Sequence, residues 1–288
     1  MKQLVIISGK GGTGKTSLAA CFAALERERG PVPVLVDCDV DAANLHLLLG
    51  GEETSSRPFF GPELAVIDRG RVADPEKCGE SCRFGAISGL EVDPYLCVGC
   101  GVCRLVCGEE AVEMTRQEGG TIRERETPYG KLFHAELEPG RPGFGGLITA
   151  LRARGEEEAL RRPDGLLLID GSPGIGCPVI AGLTGCDLAL LVTEPGRGAL
   201  HDLERINRLL GFFGIRTLVA INRCDLDRSL LGETERFCRE RGLEIAGRIP
   251  FSDRFRQAAV SGRPAVELGD EKLNSILEKI HRRVREEL

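Results

Sequence analysis

Short apolar runs alternate with amphipathic segments along most of the chain. The run at 3–8 is followed by a segment of helical periodicity that ends at Gly30. Further apolar runs predict strands at 31–37, 165–170, 187–195 and 217–222, and helical patterns cover 200–214 and 232–241. Continuous apolar strands that alternate with helices are typical of a parallel sheet covered on both faces. The pattern therefore predicts an α/β fold with a mostly parallel sheet flanked by helices.

The pattern changes between about 70 and 116, where short segments are punctuated by Cys, Gly and Pro. This change predicts a small inserted module. Partial alternation at 121–137 around a Pro-Tyr-Gly turn predicts a hairpin that returns the chain to the main domain. The predicted organisation is thus 1–69 for the first part of the main domain, 70–116 for the insert and 117–288 for the second part.

The C-terminal segment 271–288 has an apolar helical face. The residues of this face are Leu273, Ile276, Leu277, Ile280 and Val284. Three arginines lie nearby, so a helix on a membrane surface is one interpretation. Packing on the sheet is the interpretation that we favour.

Charge and composition exclude several classes of function. The 288 residues carry a formal net charge of -6 and no dense run of Lys or Arg, so we expect no nucleic-acid partner. The sequence shows neither a signal-peptide core nor a stretch approaching 18 apolar residues, so we expect a cytoplasmic protein without membrane association. Six of the 12 cysteines lie between Cys78 and Cys107, a clustering that indicates metal binding in a chain of this size.

A phosphate-binding motif follows the first predicted strand. Residues 9–16 read G-K-G-G-T-G-K-T, which satisfies G-x-x-x-x-G-K-[ST] between a strand and a helix. The backbone of such a loop cradles phosphates, Lys15 can reach the β- and γ-phosphates, and the Thr16 hydroxyl can bind Mg²⁺. The predicted nucleotide-binding residues of this loop are Gly11, Gly12, Thr13, Gly14, Lys15, Thr16 and Ser17.

Carboxylates and an amide end three other predicted strands. V-D-C-D-V-D at 36–41 supplies Asp37, Asp39 and Asp41, and L-L-I-D-G-S-P-G-I-G at 167–176 supplies Asp170. N-R-C-D at 222–225 begins with Asn222 and also resembles the guanine-reading N-K-x-D motif. These four residues alone leave open whether the base is adenine or guanine.

With Lys10 as a second lysine, the loop resembles that of the MinD/ParA/nitrogenase-iron-protein branch of P-loop ATPases. The resemblance implies adenine as the base and a dimer formed with ATP, in which Lys10 reaches the nucleotide of the partner. It also implies that Asp39 orients water and is linked to Mg²⁺, that Asp170 holds Mg²⁺ through water, and that Asn222 lies against the base. Asp37 and Asp41 are weaker candidates.

The cysteines at 97–107 have the spacing C-x₂-C-x₂-C-x₃-C, which is the bacterial ferredoxin pattern for a [4Fe–4S] cluster. The segment 74–87 is similar to the matching first half of a two-cluster ferredoxin, but it keeps only the outer cysteines, Cys78 and Cys82. The resemblance therefore narrows to MinD-superfamily ATPases with an inserted ferredoxin domain.

The resemblance also implies a ligand set, because in two-cluster ferredoxins three cysteines of one motif bind with the fourth of the other. Cys97, Cys100 and Cys103 would then take Cys82, giving one [4Fe–4S] cluster per chain. Cys78 and Cys107 would remain as a nearby thiol pair. Two alternatives stay open: Cys107 as the fourth ligand, or a cluster shared between subunits.

Two functions fit these motifs, and a third does not. The first is an ATP-hydrolysing iron–sulfur protein that couples nucleotide state to electron transfer or to metallocofactor or iron–sulfur handling, with a redox protein or metalloprotein as its partner. The alternative is a MinD/ParA-like regulatory or positioning ATPase with a sensory or structural cluster. A simple electron-carrier ferredoxin leaves the complete phosphate loop unexplained.

Overall fold

The computed structural model describes residues 1–30, 32–138 and 144–288, and in them one sheet of nine strands forms the centre of the fold. The strands of this sheet are β1 (Lys2–Ser8), β2 (Val34–Asp37), β3 (Glu52–Ile67), β6 (Val112–Thr127), β7 (Gly130–Leu137), β8 (Leu166–Asp170), β9 (Leu188–Thr193), β10 (Arg216–Asn222) and β11 (Glu244–Ile249). Their order is β11-β10-β9-β1-β8-β2-β7-β6-β3. A separate ribbon contains β4 (Ile87–Ser88) and β5 (Glu91–Val92).

The strands from β11 to β7 are all parallel, and the predicted apolar runs supply most of them. Strands β2, β8 and β9 are buried along their whole length, as expected where helices cover both faces of a sheet. The predicted α/β class is confirmed. Because parallel strands end at the same edge, the residues that follow β1, β2, β8, β9 and β10 come together there.

Helices pack on both faces of this sheet. They are α1 (Lys15–Arg29), α2 (Leu45–Leu49), α5 (Phe144–Leu160), α6 (Cys177–Leu183), α7 (Arg197–Phe212), α8 (Arg228–Glu240), α9 (Arg254–Ser261) and α10 (Glu271–Glu287), with a 3₁₀ turn at Ala265–Leu268. Two further short helices, α3 (Pro75–Glu80) and α4 (Val102–Cys107), belong to the cysteine-rich segment. One core joins α1, α2, α9 and α10 to the sheet, and the other joins α5, α6, α7 and α8 to the opposite face.

The C-terminal helix α10 packs against the sheet as predicted. Leu273, Leu277, Ile280 and Val284 are buried in the first core, and Ile276 is half-buried against it. Among the described residues, no helix is both long enough and apolar enough to cross a membrane.

An antiparallel edge extends the sheet beyond β7. Strands β6 and β7 form the predicted hairpin, with Thr127 paired to Gly130 at its turn. Strand β3 then pairs with β6, and each of these two strands is 16 residues long. Strand β3 and the first half of β6 were not predicted, because most side chains of β3 are exposed or half-buried and hide the alternation that marks a strand.

The cysteine-rich segment lies between the ends of β3 and β6. It contains α3, α4 and the β4–β5 ribbon around a small core. The thiol pair predicted from Cys78 and Cys107 is instead a disulfide bond, with the two Cα atoms 5.1 Å apart. The ferredoxin-like character of this segment and the boundaries at 69/70 and 116/117 remain predictions. Of the predicted strand 31–37, Pro31 lies outside the described residues, as do residues 139–143 of the second main-domain part.

Candidate functional site

The predicted phosphate loop connects β1 to the N-terminus of α1. Lys15 begins α1, and Gly14 precedes it with a φ of 97°, a conformation that favours glycine. A Cβ atom at Gly14 would also lie 2.6 Å from Nδ2 of Asn222. Glycine is therefore required at this position for both the turn and the packing of the loop.

The Lys15 ammonium lies among the carboxylates that follow β2 and β8. Its Nζ atom is 2.5 Å from Oδ2 of Asp39 and 4.0 Å from Oδ1 of Asp170. Burial opposes protonation of Lys15, but the charges of Asp170 and Asp39 outweigh it and raise the pKa of the lysine. Three residues that are distant in sequence thus form one charged group.

Asp170 is fully buried, and neither of its carboxylate oxygens has a hydrogen-bond partner of good geometry among the described residues. Burial raises its pKa to about 6, against the attraction of Lys15 and of the nearby Thr16 hydroxyl. An unsatisfied buried carboxylate is costly, and a divalent cation would satisfy it. Asp170 and Thr16 therefore fit Mg²⁺, which usually takes one or two protein ligands beside phosphate oxygens and water.

Asp37 has a structural environment that differs from that of Asp39. Its carboxylate accepts hydrogen bonds from the backbone N–H groups of Asp39, Asn44 and Leu45, at 3.0, 3.1 and 3.1 Å. It thereby fixes the loop after β2 and the start of α2. Burial, followed by the nearby Asp170 charge, raises the pKa of Asp37 to about 8.

A cavity of about 790 Å³ opens over this charged group. Of the seven predicted loop residues, all except Thr13 line this cavity. The lining also includes Asp39, Asp41, Ser172, Asn222, Arg223, Phe251 and Ser252. A cavity of this size at the carboxyl ends of parallel strands is where α/β proteins bind nucleotides.

Asn222 lines the cavity, but its side chain is engaged by the protein. Its Nδ2 atom donates to the Thr13 carbonyl at 2.8 Å, and its Oδ1 atom accepts from the backbone N–H of Arg223 at 2.9 Å. Asn222 therefore anchors the phosphate loop to the end of β10. Its contact with a base stays a prediction.

Lys10 lies at the other side of the loop. Its side chain is 43% exposed, and its Nζ atom is 2.6 Å from Oε1 of Glu194. The family resemblance implies that Lys10 acts on the nucleotide of a partner subunit, and Lys10 would have to reach that nucleotide from this position.

The four cysteines predicted as cluster ligands line a second cavity, of about 80 Å³. They are Cys82, Cys97, Cys100 and Cys103. Gly99 packs between them and β3, and a Cβ atom there would lie 2.2 Å from the Glu63 carbonyl oxygen. Cys107, the alternative fourth ligand, is in the disulfide. Within the ranges 1–30, 32–138 and 144–288, no group of three or more His, Cys, Asp or Glu side chains is already arranged around a metal position.

Two connections of the loops and helix that follow β2 and β8 were not predicted. The Ser172 hydroxyl donates to the Cys38 carbonyl at 2.5 Å, which ties the loop after β8 to the loop after β2. On α2, His46 stacks on the buried His134 of β7, with ring centroids 4.6 Å apart. Both connections depend on strand order, which a local motif does not encode.

The comparisons with known proteins agree with this geometry. A family model described as the CobQ/CobB/MinD/ParA nucleotide binding domain matches residues 4–265. Among solved structures, the septum site-determining protein MinD complexed with Mg-ADP from Pyrococcus horikoshii superposes with a TM-score of 0.61 at 19% identity, over 98% of this chain and 95% of that chain.

Three curated relatives illustrate the range of similar proteins. An uncharacterized protein of Methanocaldococcus jannaschii is 34% identical over 77% of this chain and 78% of its own length. The chloroplastic septum site-determining protein minD homolog of Arabidopsis thaliana is 28% identical over 91% of this chain and 68% of its own. An iron-sulfur cluster carrier protein of Methanocaldococcus jannaschii is 22% identical over 99% of this chain and 84% of its own.

Proposed function

Since the chain belongs to the CobQ/CobB/MinD/ParA family of nucleotide-binding domains, we propose that it is an ATP-hydrolysing switch protein of the MinD/ParA type. In this proposal two copies associate when ATP is bound, and the paired state controls the binding of a partner protein. The observation that carries the proposal is the position of Lys15 between Asp39 and Asp170 at the base of the nucleotide cavity.

The ion pairs suggest how nucleotide binding acts on the loop after β2. Phosphate oxygens compete with the Asp39 carboxylate for the Lys15 ammonium, so ATP binding frees Asp39. The freed carboxylate can orient a water molecule for attack on the γ-phosphorus and accept its proton as the bond to the β-phosphate oxygen breaks. Mg²⁺, held by Thr16 and through water by Asp170, would neutralise charge on the phosphates.

The chain path from Asp39 supports a switch function. Leu47 and Leu48 of α2 line the nucleotide cavity, and only two residues separate the end of α2 from the start of β3. Strand β3 leads directly to the cysteine-rich segment. A shift of the loop after β2 would therefore be transmitted through α2 to the base of the β3–β6 pair. The relatives named as septum site-determining proteins favour this regulatory function over an electron-transfer function.

The test is the Asp39→Ala variant. It should bind ATP with Lys15 and the loop backbone intact, but it should not hydrolyse it, and it should therefore accumulate as an ATP-bound dimer. Light scattering with ATP and with ADP measures this. The matched variant Lys10→Ala should bind ATP as a monomer and should weaken the dimer in an Asp39→Ala background. A strictly monomeric profile of Asp39→Ala with ATP would contradict the proposal.

A second function, ATP-coupled redox or iron–sulfur handling, is favoured by the four cysteines that line one cavity. The donor set fits an iron–sulfur cluster, since four thiolates are the ligands that a [4Fe–4S] cluster takes. The backbone N–H of Ala86 donates to Sγ of Cys82 at 3.4 Å, a contact that would stabilise a thiolate at that position. Burial, and then the nearby Cys97 and Cys100, raise the pKa of Cys103, so the Cys103 thiol stays protonated until an iron centre replaces its proton.

Anaerobic reconstitution of single Ser variants tests this second function. Cys82→Ser should lose the cluster and Cys107→Ser should keep it, with about four irons per chain in the wild type. A reproducible eight irons would refute a single cluster, and no bound iron would refute the second function. If cluster-free variants keep full ATP turnover and partner binding, the regulatory function is favoured. Transfer of iron and sulfide to an apo-acceptor would instead favour iron–sulfur handling.

A further inference from the structure

We infer that Glu194 is a positioning residue for Lys10: it holds the lysine against its own subunit and must release it before Lys10 can act on the nucleotide of a second copy. The inference rests on the proposed ATP-dependent dimer and identifies a regulator of that same site.

The sheet register places the two residues side by side. Strands β1 and β9 are parallel neighbours, with Ser8 paired to Val192. Lys10 and Glu194 each lie two residues beyond this pair, at the same edge of the sheet. Strand β10 flanks β9 on its other side, with Ile221 paired to Thr193, so Arg223 also follows at this edge. Glu194 therefore lies between two cationic residues.

Glu194 binds both cations at once. Its Oε1 atom is 2.6 Å from Nζ of Lys10, and its Oε2 atom is 2.8 Å from Nη1 of Arg223. The Glu194 side chain is 17% exposed. Burial alone would raise the pKa of this carboxyl, but Lys10 and Arg223 together lower it below its ordinary range. Glu194 is therefore an anion in the monomer.

The second ion pair makes release of Lys10 possible. A partly buried carboxylate that loses its sole partner pays a large desolvation penalty. Because Arg223 stays bound to Glu194, the departure of Lys10 leaves the carboxylate paired. The Lys10 ammonium can then bind the phosphate oxygens of a nucleotide in a second copy. Glu194 thus competes with that nucleotide for Lys10 and sets how readily the dimer forms.

Arg223 also connects Glu194 and Lys10 to the nucleotide cavity. It lines the cavity and adopts a φ of 50°, which is a rare conformation for a residue other than glycine. Asn222, its neighbour, anchors the phosphate loop. Glu194 therefore contacts Arg223 of the cavity wall with one oxygen and Lys10 with the other.

The first measurement compares Glu194→Gln with the wild type in an ATP-dependent dimerisation titration by light scattering. Removal of the competing charge should lower the midpoint protein concentration about two- to fivefold, the range that a partly exposed ion pair contributes. The effect should disappear when Lys10→Ala is added to both proteins in an Asp39→Ala background, where a weakened dimer still forms and its midpoint can be measured. Glu240→Gln, which removes one exposed carboxylate from α8, is the matched control and should leave the midpoint unchanged. An unchanged midpoint in Glu194→Gln, or a shift that persists without Lys10, would overturn the inference.

The second measurement needs no dimer. Labelling of Lys10 by an amine-reactive ester without nucleotide, followed by peptide mass spectrometry, should be faster in Glu194→Gln because the amine is no longer shielded by the carboxylate. Equal labelling would overturn the inference. If the wild type does not dimerise with ATP while Glu194→Gln labels faster, the proposed dimer fails but Glu194 is still the residue that holds Lys10.

Discussion

The nucleotide cavity and the cysteine cavity differ in what holds their side chains in place. Lys15, Asp39 and Asp170 follow strands that are buried in the two cores of a large sheet. The cysteines instead surround a core of seven buried residues, closed by one disulfide. Scaffolds of fewer than about 70 residues usually need disulfides, metals or similar cross-links for stability. The first site is therefore fixed by the fold of the whole domain, and the second depends on its own sulfur chemistry.

Loss of the Lys15 ammonium should have the largest effect, a fall in ATP turnover, and this effect should be confined to the nucleotide cavity. Lys15→Ala removes the charge that faces Asp39, Asp170 and the phosphates, so ATP turnover should fall on the order of 10³-fold or more. Steady-state ATPase assays and nucleotide-binding titrations measure this loss. Lys10→Ala is the matched control, since it should leave binding by one subunit intact. Near-normal turnover in Lys15→Ala would mean that this cavity is not the nucleotide site.

Loss of the disulfide should affect only the second site. Cys78→Ser opens a cross-link between residues 29 apart in sequence, which should destabilise the cysteine-rich segment by about 3–4 kcal/mol under oxidising conditions. Hydrogen exchange compares amides of α4 with amides of β1, and the latter should be unaffected. The matched control repeats the hydrogen exchange of the wild type and Cys78→Ser in a reducing buffer, where most of the difference in exchange between the two proteins should vanish. A difference of equal size in that buffer would assign the effect to packing and not to the cross-link.

The two sites were also predictable to different degrees. The phosphate loop is contiguous in sequence, so its residues and its position between β1 and α1 could be recognised directly. The resemblance to two-cluster ferredoxins implied that Cys78 and Cys107 would lie together as thiols, and the structure joins them in a disulfide. Neither the Glu194–Lys10 contact nor the 16-residue β3–β6 pair could be predicted, because the first depends on strand order and the second on pairing that its exposed polar residues conceal.

The stacked rings of His46 and His134 test how α2 is joined to β7 of the antiparallel edge. This prediction has the smallest expected effect of the three. Burial, followed by His46, Arg125 and Arg123, lowers the pKa of His134 to about 3. Among the described residues, no side chain or backbone group hydrogen-bonds to either ring nitrogen of His134. The protonated form is thus strongly disfavoured in the folded state, whereas in the unfolded chain His134 should titrate near its ordinary value.

This shift has a definite sign in the dependence of stability on pH. As the pH falls, His134 takes up a proton in the unfolded chain at a higher pH than in the folded protein. The free energy of unfolding should therefore be unaffected above about pH 6.5 and should decrease as the pH falls towards 3. At pH 5 the decrease from this group should be about 2 kcal/mol relative to pH 7. His134→Phe keeps an aromatic ring beside His46 but cannot take up the proton, so urea denaturation at pH 7 and pH 5 should show a smaller decrease in this variant. His201→Phe, on the exposed face of α7, should retain the wild-type decrease. If His134→Phe retains it as well, protonation of His134 is not the source of the acid sensitivity.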